Sequence, residues 1–263
     1  DLWTTRYDEM KVIMVGIPPL QEQTAIAQFL DDKTTKIDEA IAIKVQQINL
    51  LKERKQILIH KAVTRGLNPN VKLKDSGIDW IGEIPEHWEL KKLKNILNFT
   101  TGGTPSSHES SFYDGDKPWV TISDMEGRYI TKTHFISKSG VRSANIPLTP
   151  KDSLLYSFKL SVGQVAFSRI NLYTNEAIAS FHPTNNVCLS YWYYSFPSFI
   201  IKNANTNIYG AYILNQSLIK NALLLVPPLS EQKEIVDYLN DRTKKIKNAI
   251  SLKNKEIAKL KEY

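Results

Sequence analysis

A single cysteine, Cys188, occurs in the 263 residues, so the chain can form no internal disulfide and lacks the paired thiols of a cysteine-rich zinc site. It reads as a small core side chain. Long apolar runs are missing too: "NALLLV" falls far short of the roughly 20 residues that a membrane helix needs. The N-terminus "DLWTTRYDEMK" is acidic and aromatic rather than signal-like, and a cytoplasmic protein is expected. The five histidines, His60, His87, His108, His134 and His182, have no metal-ligand spacing. The glycine-rich "TGGTPSS" at 101–107 lacks the Gly-Lys-Ser/Thr ending of a phosphate-binding loop and reads as a structural turn. Asp114, Asp116, Asp124 and Glu126 crowd one stretch, but the strand setting and neighbouring lysine of a metal-dependent nuclease are not visible. There is no Asn/Asp-Pro-Pro-Tyr/Phe loop and no glycine-rich strand-to-helix turn, so no complete nucleotide methyltransferase site is legible. The sequence implies recognition: no catalytic residue, metal ligand or cofactor of its own is assigned.

Acidic residues are scarce in one block. Between Gly127 and Leu225 only Asp152 and Glu176 oppose nine lysines and arginines, so this stretch carries a charge equal to the whole chain's net +7. Such a block attracts polyanions without identifying one.

What is present is a phrase stated twice. "IPPLQEQTAIAQFLDDKTTKI" begins at Ile17 and "VPPLSEQKEIVDYLNDRTKKI" at Val226, 209 residues apart with no gap. Two copies around a long unlike segment are not a solenoid, which needs three or more stacked units. Each copy opens with Pro-Pro, which suits the approach to a helix, and has Glu in the first turn, where the helix dipole favours a carboxylate. Helices are therefore expected to start near Leu20 and Leu229. The first shows a 3.5-residue period through Leu30, Thr34, Ile37, Ile41, Lys44, Ile48, Leu51, Lys55, Leu58 and Ala62; the second runs Leu239, Thr243, Ile246, Ile250, Lys253, Ile257 and Leu260 in the same phase. These are seams of helices that wrap around one another. The first helix is expected to end at Gly66, after roughly 44 residues or about 66 Å, and such a length acts as a ruler. Lys44 and Lys253 occupy equivalent seam positions, where a polar residue either sets register or snorkels to solvent.

Residues 68–225 have a different grammar. The stretches "KPWVTI", "RYITKTHFI", "DSLLYSF" and "GQVAFSRI" read as strands broken by turns, and "LSYWYYSFPSFIIKNA" has helical spacing, its aromatics belonging to a core. The fold class is α+β: a mixed α/β domain flanked by two long helices that form an antiparallel coiled coil.

The two Pro-Pro phrases, the entry "DSGIDWIGEIPEHWELKKLKN", the "GGTPS" turn, "TNEAIASFHP" and the closing "GAYILNQSLIKNALLLVPPLSEQ" together resemble the specificity subunit of type I restriction-modification enzymes, over essentially the whole chain. The resemblance implies a target recognition domain that reads one half of a bipartite double-stranded DNA site. It also implies helices that space two such domains and dock modification subunits, with S-adenosylmethionine on those partners and not on this chain. The resemblance leaves open whether restriction subunits join as well. Each phrase recurs because each recognition domain is followed by its own spacer helix. The implied organisation is a remnant of a preceding recognition domain at 1–16, a spacer helix at 17–67, one recognition domain at 68–225 and a second, truncated spacer helix at 226–263. The family pattern has two recognition domains, so a shortened chain is expected, which a homodimer would complete.

Base reading favours Arg, Lys, Asn, Gln, Ser and Thr on loops, and phosphate contacts favour cations and hydroxyls. The DNA-binding candidates are Thr104, Ser106, Ser107, Arg128, Lys132, Lys159, Arg169, Asn171, Tyr173, Asn175 and Tyr209. The helix-interface candidates are Leu30, Ile37, Ile41, Ile48 and Leu51 with Leu239, Ile246, Ile250, Ile257 and Leu260. Two other classes stay open at this point, a nuclease using the Asp114–Glu126 acids and a coiled-coil interaction protein that never meets DNA.

Overall fold

The computed structural model describes residues 10–159 and 161–262. Of the stretch 1–16 read as a domain remnant, residues 1–9 lie outside the described residues. The chain divides into two compact units, Arg54–Lys245 and a helical unit drawn from Asp1–Glu53 and Ile246–Tyr263.

Helix α1 spans Leu20–Arg65. It begins where the sequence places it, with the Pro19 carbonyl accepting from the amides of Glu22 and Gln23. It stops at Gly66, which takes the left-handed conformation (φ 71°) that glycine adopts freely. The helical unit pairs α1 with the last helix, α5, Leu229–Leu260. Burial here follows the heptads: Ile48 and Ile246 are buried, while Ile37, Ile41, Lys44 and Leu51 on α1 and Ile250, Lys253, Ile257 and Leu260 on α5 are half-buried. Leu30 differs from the expectation, being 55% exposed. Lys44 already faces Glu256, and with the helices antiparallel α5 ends before it reaches Leu30.

The unit Arg54–Lys245 is a mixed α/β domain. A short hairpin of β1 (Leu73–Asp75) and β2 (Glu83–Pro85) follows α1. Strand β3 (Glu89–Lys92) then pairs antiparallel with β13 (Leu223–Val226), so that the domain's entry and exit strands lie side by side. Between them, β4 (Phe99–Thr101), β7 (Leu154–Ser157), β8 (Val165–Phe167) and β10 (Ile178–Phe181) form an antiparallel sheet in the order β4-β10-β7-β8. A second sheet has the order β6-β5-β9, from β5 (Lys117–Val120), β6 (His134–Ile136) and β9 (Tyr173–Thr174), with β5 and β9 parallel. The remaining elements are helices α2 (Lys138–Ser143), α3 (Leu189–Phe199) and α4 (Gln216–Asn221), with a small hairpin of β11 (Asn205–Thr206) and β12 (Tyr212–Ile213).

Only the end of "RYITKTHFI" is strand. Tyr129 forms a bridge with Phe167, and the Ile130 amide bonds the Phe167 carbonyl, so the chain crosses from one sheet to the other before β6 begins.

The aromatics of α3 are core. Tyr191, Trp192, Phe196 and Phe199 are buried, with the rings of Phe181 and Phe196 centred 4.7 Å apart. Ala62 and Val63 of α1 and Ile235, Val236 and Leu239 of α5 belong to this same core. The Tyr191 hydroxyl reaches the carbonyls of Val63 (3.4 Å) and Leu225 (3.3 Å). The end of α1 and the beginning of α5 are thus built into the domain, which is why the compact division falls inside both helices. No helix among the described residues is long and apolar enough to cross a membrane.

Candidate nucleic-acid interface

Two loops are fastened together where the two sheets meet. A Cβ on Gly102 would lie 1.7 Å from the Thr174 carbonyl oxygen, so no side chain fits there. The Gly103 amide bonds that same carbonyl at 2.9 Å, and the Gly103 carbonyl accepts from the indole of Trp119 at 3.1 Å. The turn of "TGGTPSS" is structural, holding the 101–107 loop against the end of β9. From this loop the Thr104 hydroxyl donates to Glu176 Oε2 at 2.5 Å. That bond, helped by the charge of Lys159, holds the Glu176 carboxyl below the usual glutamate range. Thr104, Lys159 and Glu176 therefore gather at one place. Asn175 stands beside them with its side chain committed to the turn, accepting from the Ala177 amide at 3.2 Å. Tyr173 is half-buried against the small core of Trp119, Ile136 and Ile146.

A second group forms around Tyr129. The exposed Arg169 guanidinium stacks 4.4 Å from its ring. Arg128 is placed differently from an exposed contact residue. Its guanidinium lies 5.0 Å from the Tyr193 ring and within about 6 Å of Tyr129, Phe167 and Tyr194. It donates through Nη1 to Asn240 on α5, which also accepts from the Tyr194 hydroxyl at 2.8 Å. Arg128 ties the domain to α5. Asn171 is likewise used internally, its side-chain oxygen capping the Lys151 amide at 2.8 Å. Ser106, Ser107, Lys132 and Tyr209 are exposed and join neither group.

Sequence reasoning missed Glu176 and Tyr129. The signal for Glu176 was its rarity, as one of two acids in the basic block. Two of the Asp114–Glu126 acids serve local structure: Asp124 accepts from the Thr121 amide (2.8 Å) and hydroxyl (2.9 Å), and Asp116 pairs with Lys117 at 3.0 Å. Among the described residues no three His, Cys, Asp or Glu side chains converge as metal ligands.

The repeated phrase has a repeated geometry at its head. Gln232 donates to the Pro227 carbonyl at 2.9 Å, and its counterpart Gln23 donates to Pro18 at 2.7 Å. Glu231, in the first turn of α5, accepts from the Trp88 indole at 3.0 Å and meets His87 at 2.5 Å. Among the described residues its counterpart Glu22 has no such partners.

A basic α/β module whose exposed polar side chains sit on fastened loops, with its ends grown into a repeated helix pair, defines a recognition module on a helical scaffold. Comparison with known proteins gives the family. The profile of the type I restriction modification DNA specificity domain matches residues 85–262, and the chain belongs to that family. It is 30% identical over 167 residues to the MjaIX specificity subunit of Methanocaldococcus jannaschii, a match covering 61% of this chain and 39% of that protein. It is 26% identical to the MjaVIII specificity subunit of the same organism, covering 93% of this chain and 57% of that one. A chain from a solved type I restriction-modification system shares the fold with a TM-score of 0.73 at 17% identity, covering 94% of this chain and 57% of that chain. The chain spans between two and three fifths of the length of these relatives.

Proposed function

We propose that the chain is a sequence-specific DNA-recognition and scaffold subunit of a type I restriction-modification complex, reading one half of a bipartite site. The single observation that carries this is the one recognition domain, with the whole chain's net charge in its basic block, set between two copies of one helix. DNA is read by the loops around Thr104, Lys159 and Glu176 and by Arg169 on Tyr129, with Ser106, Ser107, Lys132 and Tyr209 as further contacts. Modification subunits, which carry S-adenosylmethionine, dock on the helical unit. Its outer face supports this: Ile43 on α1 and Leu252 on α5 stand 209 residues apart in the repeat and are 56% and 57% exposed, with Leu50 exposed beside Ile43. Adenine methylation is the partner's chemistry.

We propose that a second recognition domain, on a second copy of this chain or on the remaining half of a longer protein, covers the first turns of α1. Ile26 and Leu30 are exposed on α1, whereas their repeat counterparts on α5, Ile235 and Leu239, are buried in the recognition domain's core. The same side chains on α1 are suited to the same cover.

Methylation mapping with the cognate modification subunits tests the reading. A bipartite motif is expected, its two halves inverted copies of each other where a second copy of this chain supplies the second recognition domain and unlike where a different domain does. Random methylation, or none with an assembled complex, would count against it, and an assembled complex with no affinity for DNA would favour the coiled-coil interaction reading.

A further inference from the structure

The hairpin β11–β12 carries two large apolar side chains at its tip, Ile208 and Tyr209, which are 91% and 87% exposed. Single exposed apolar residues need no explanation, but two adjacent ones on a braced turn do. The tip is rigid by construction. Asn207 Oδ1 accepts from the amides of both Tyr209 and Ala211 at 2.9 Å, the Asn207 amide bonds the Ala211 carbonyl at 3.0 Å, and Gly210 takes φ 78° to close the turn. These bonds keep the two side chains from folding back onto the domain.

The surroundings say what the tip meets. From residue 177 to residue 230 there is no Asp or Glu, and the only charges are Lys202 and Lys220. The hairpin's own stretch of chain therefore adds no repulsion to an approaching polyanion, and Asn205, Thr206 and Asn207 offer neutral polar groups next to the tip. The segment that follows the hairpin is tied to the 101–107 loop. Three residues beyond β12, Gln216 donates to Thr101 at 2.9 Å, at the end of β4 where the 101–107 loop begins.

We infer that Ile208 and Tyr209 enter a base step of the bound DNA as a wedge, partly unstacking it, with the Tyr209 ring covering the exposed base. This rests on the DNA-recognition reading above. A branched aliphatic and an aromatic side chain are the chemistry by which DNA-bending proteins open a step, and an aromatic face stacks on any base. The step opened is one that needs no hydrogen-bond readout, so the wedge contributes sequence preference through deformability.

The test uses the full chain assembled with its modification subunits and duplexes of its mapped site, with 2-aminopurine at successive positions. The wild-type complex should raise fluorescence at one step that is not a methylated adenine. The double variant Ile208→Ser, Tyr209→Ser should lose that signal and weaken specific binding by about tenfold, the order of one lost stacking contact, and should relax the preference at the opened step while the rest of the methylated motif is unchanged. Tyr209→Phe should keep both. Salt-dependent, sequence-specific binding by the wild type with no such step unstacked would overturn the wedge and leave the recognition reading standing. Loss of the modification subunit in the double variant, with DNA affinity intact, would overturn it in favour of a protein contact. A wild-type complex that binds no DNA would remove the recognition reading and the wedge with it.

Discussion

Lys44 on α1 and Glu256 on α5 meet across the helix pair at 2.7 Å, and Lys253, the repeat counterpart of Lys44, stands 3.7 Å from the same carboxylate. Two equivalent seam lysines thus share one acid. The position of Glu256 corresponds in the first copy to Gln47, which cannot return the favour, so the pairing breaks the symmetry of the repeat. Lys44 does not snorkel to solvent; it marks register. Its amine finds its carboxylate at one alignment of the two helices, which an apolar seam alone would leave free to slip by a heptad.

The pair should be visible in acid. The hydrogen bond from Lys44, with the charges of Lys44 and Lys253, holds the Glu256 carboxyl below its ordinary value of 4.5. A carboxyl depressed in the folded state stabilises fully above its ordinary range and loses that contribution as pH falls through the lowered value. Acid titration followed by helical circular dichroism should therefore show wild type losing more stability than Glu256→Gln below about pH 4.5. Parallel acid profiles would mean that the bond does not form in solution.

Charge placed in the seam should break assembly while sparing the recognition domain. Ile48 is buried in the helical unit, and Ile48→Asp would set a carboxylate against apolar partners at a cost of several kcal/mol unless the helices part. Loss of modification-subunit binding by size-exclusion chromatography, with the aromatic signals of α3 unchanged in near-ultraviolet circular dichroism, is the expected result. Ile43→Asp on the outer face should lose the same partner without unfolding the helix pair.

Gly66 joins α1 to the domain in a conformation that other residues resist. A Cβ there would meet the Trp88 ring at 3.2 Å, at φ +71°, so Gly66→Ala should destabilise by about 1–2 kcal/mol from the left-handed backbone alone. Leu67→Ala, at an exposed neighbour, should stay within about 0.5 kcal/mol. Urea midpoints at constant slope would separate the two, and equal midpoints would show that the turn relaxes.

How much was legible depended on whether a residue's role is local. Pro18-Pro19, Glu22 and Gly66 bracket α1 through short-range geometry, and the 3.5-residue period of Ile41, Ile48 and Leu51 needs only a partner helix, so both could be read along the chain. The sheet order could not. β3 pairs with β13 across some 130 residues, and nothing in "ELKK" or "LLLV" names the other. Side-chain surroundings were hidden for the same reason: Arg128 reads as a free cation until Phe167, Tyr193, Tyr194 and Asn240, distant in sequence, join its neighbour Tyr129 around it. Arg169 keeps an exposed guanidinium on one ring, the placement its residue type suggests.

That contrast divides the cations by effect on DNA. Each neutralised phosphate should add roughly −0.9 to the slope of log affinity against log salt. Lys132→Ala should reduce that slope by about one and weaken all sequences alike. Arg169→Ala, if the guanidinium on Tyr129 reads a base, should relax one position of the methylated motif by about 1–3 kcal/mol. Arg128→Ala should instead lower the domain's thermal stability, since it opens the contact to α5. A uniform loss for Arg169→Ala would reassign it to a phosphate.

The helices as a ruler give the last prediction. Lys44 facing Glu256 fixes which positions lie opposite, so seven residues inserted after Leu51 and seven after Ala249 enter the pair at facing points and keep both seams in phase. The pair then lengthens by roughly 10 Å at 1.5 Å per residue, or about three base pairs at 3.4 Å each. In a dimer with one recognition domain from each copy, the unread gap between half-sites should widen by up to about three base pairs while the half-sites stay the same. Methylation mapping reads this directly. A changed half-site with an unchanged gap would mean that the helices help to read bases, and the spacing would then have to be set by contacts between the recognition domains themselves.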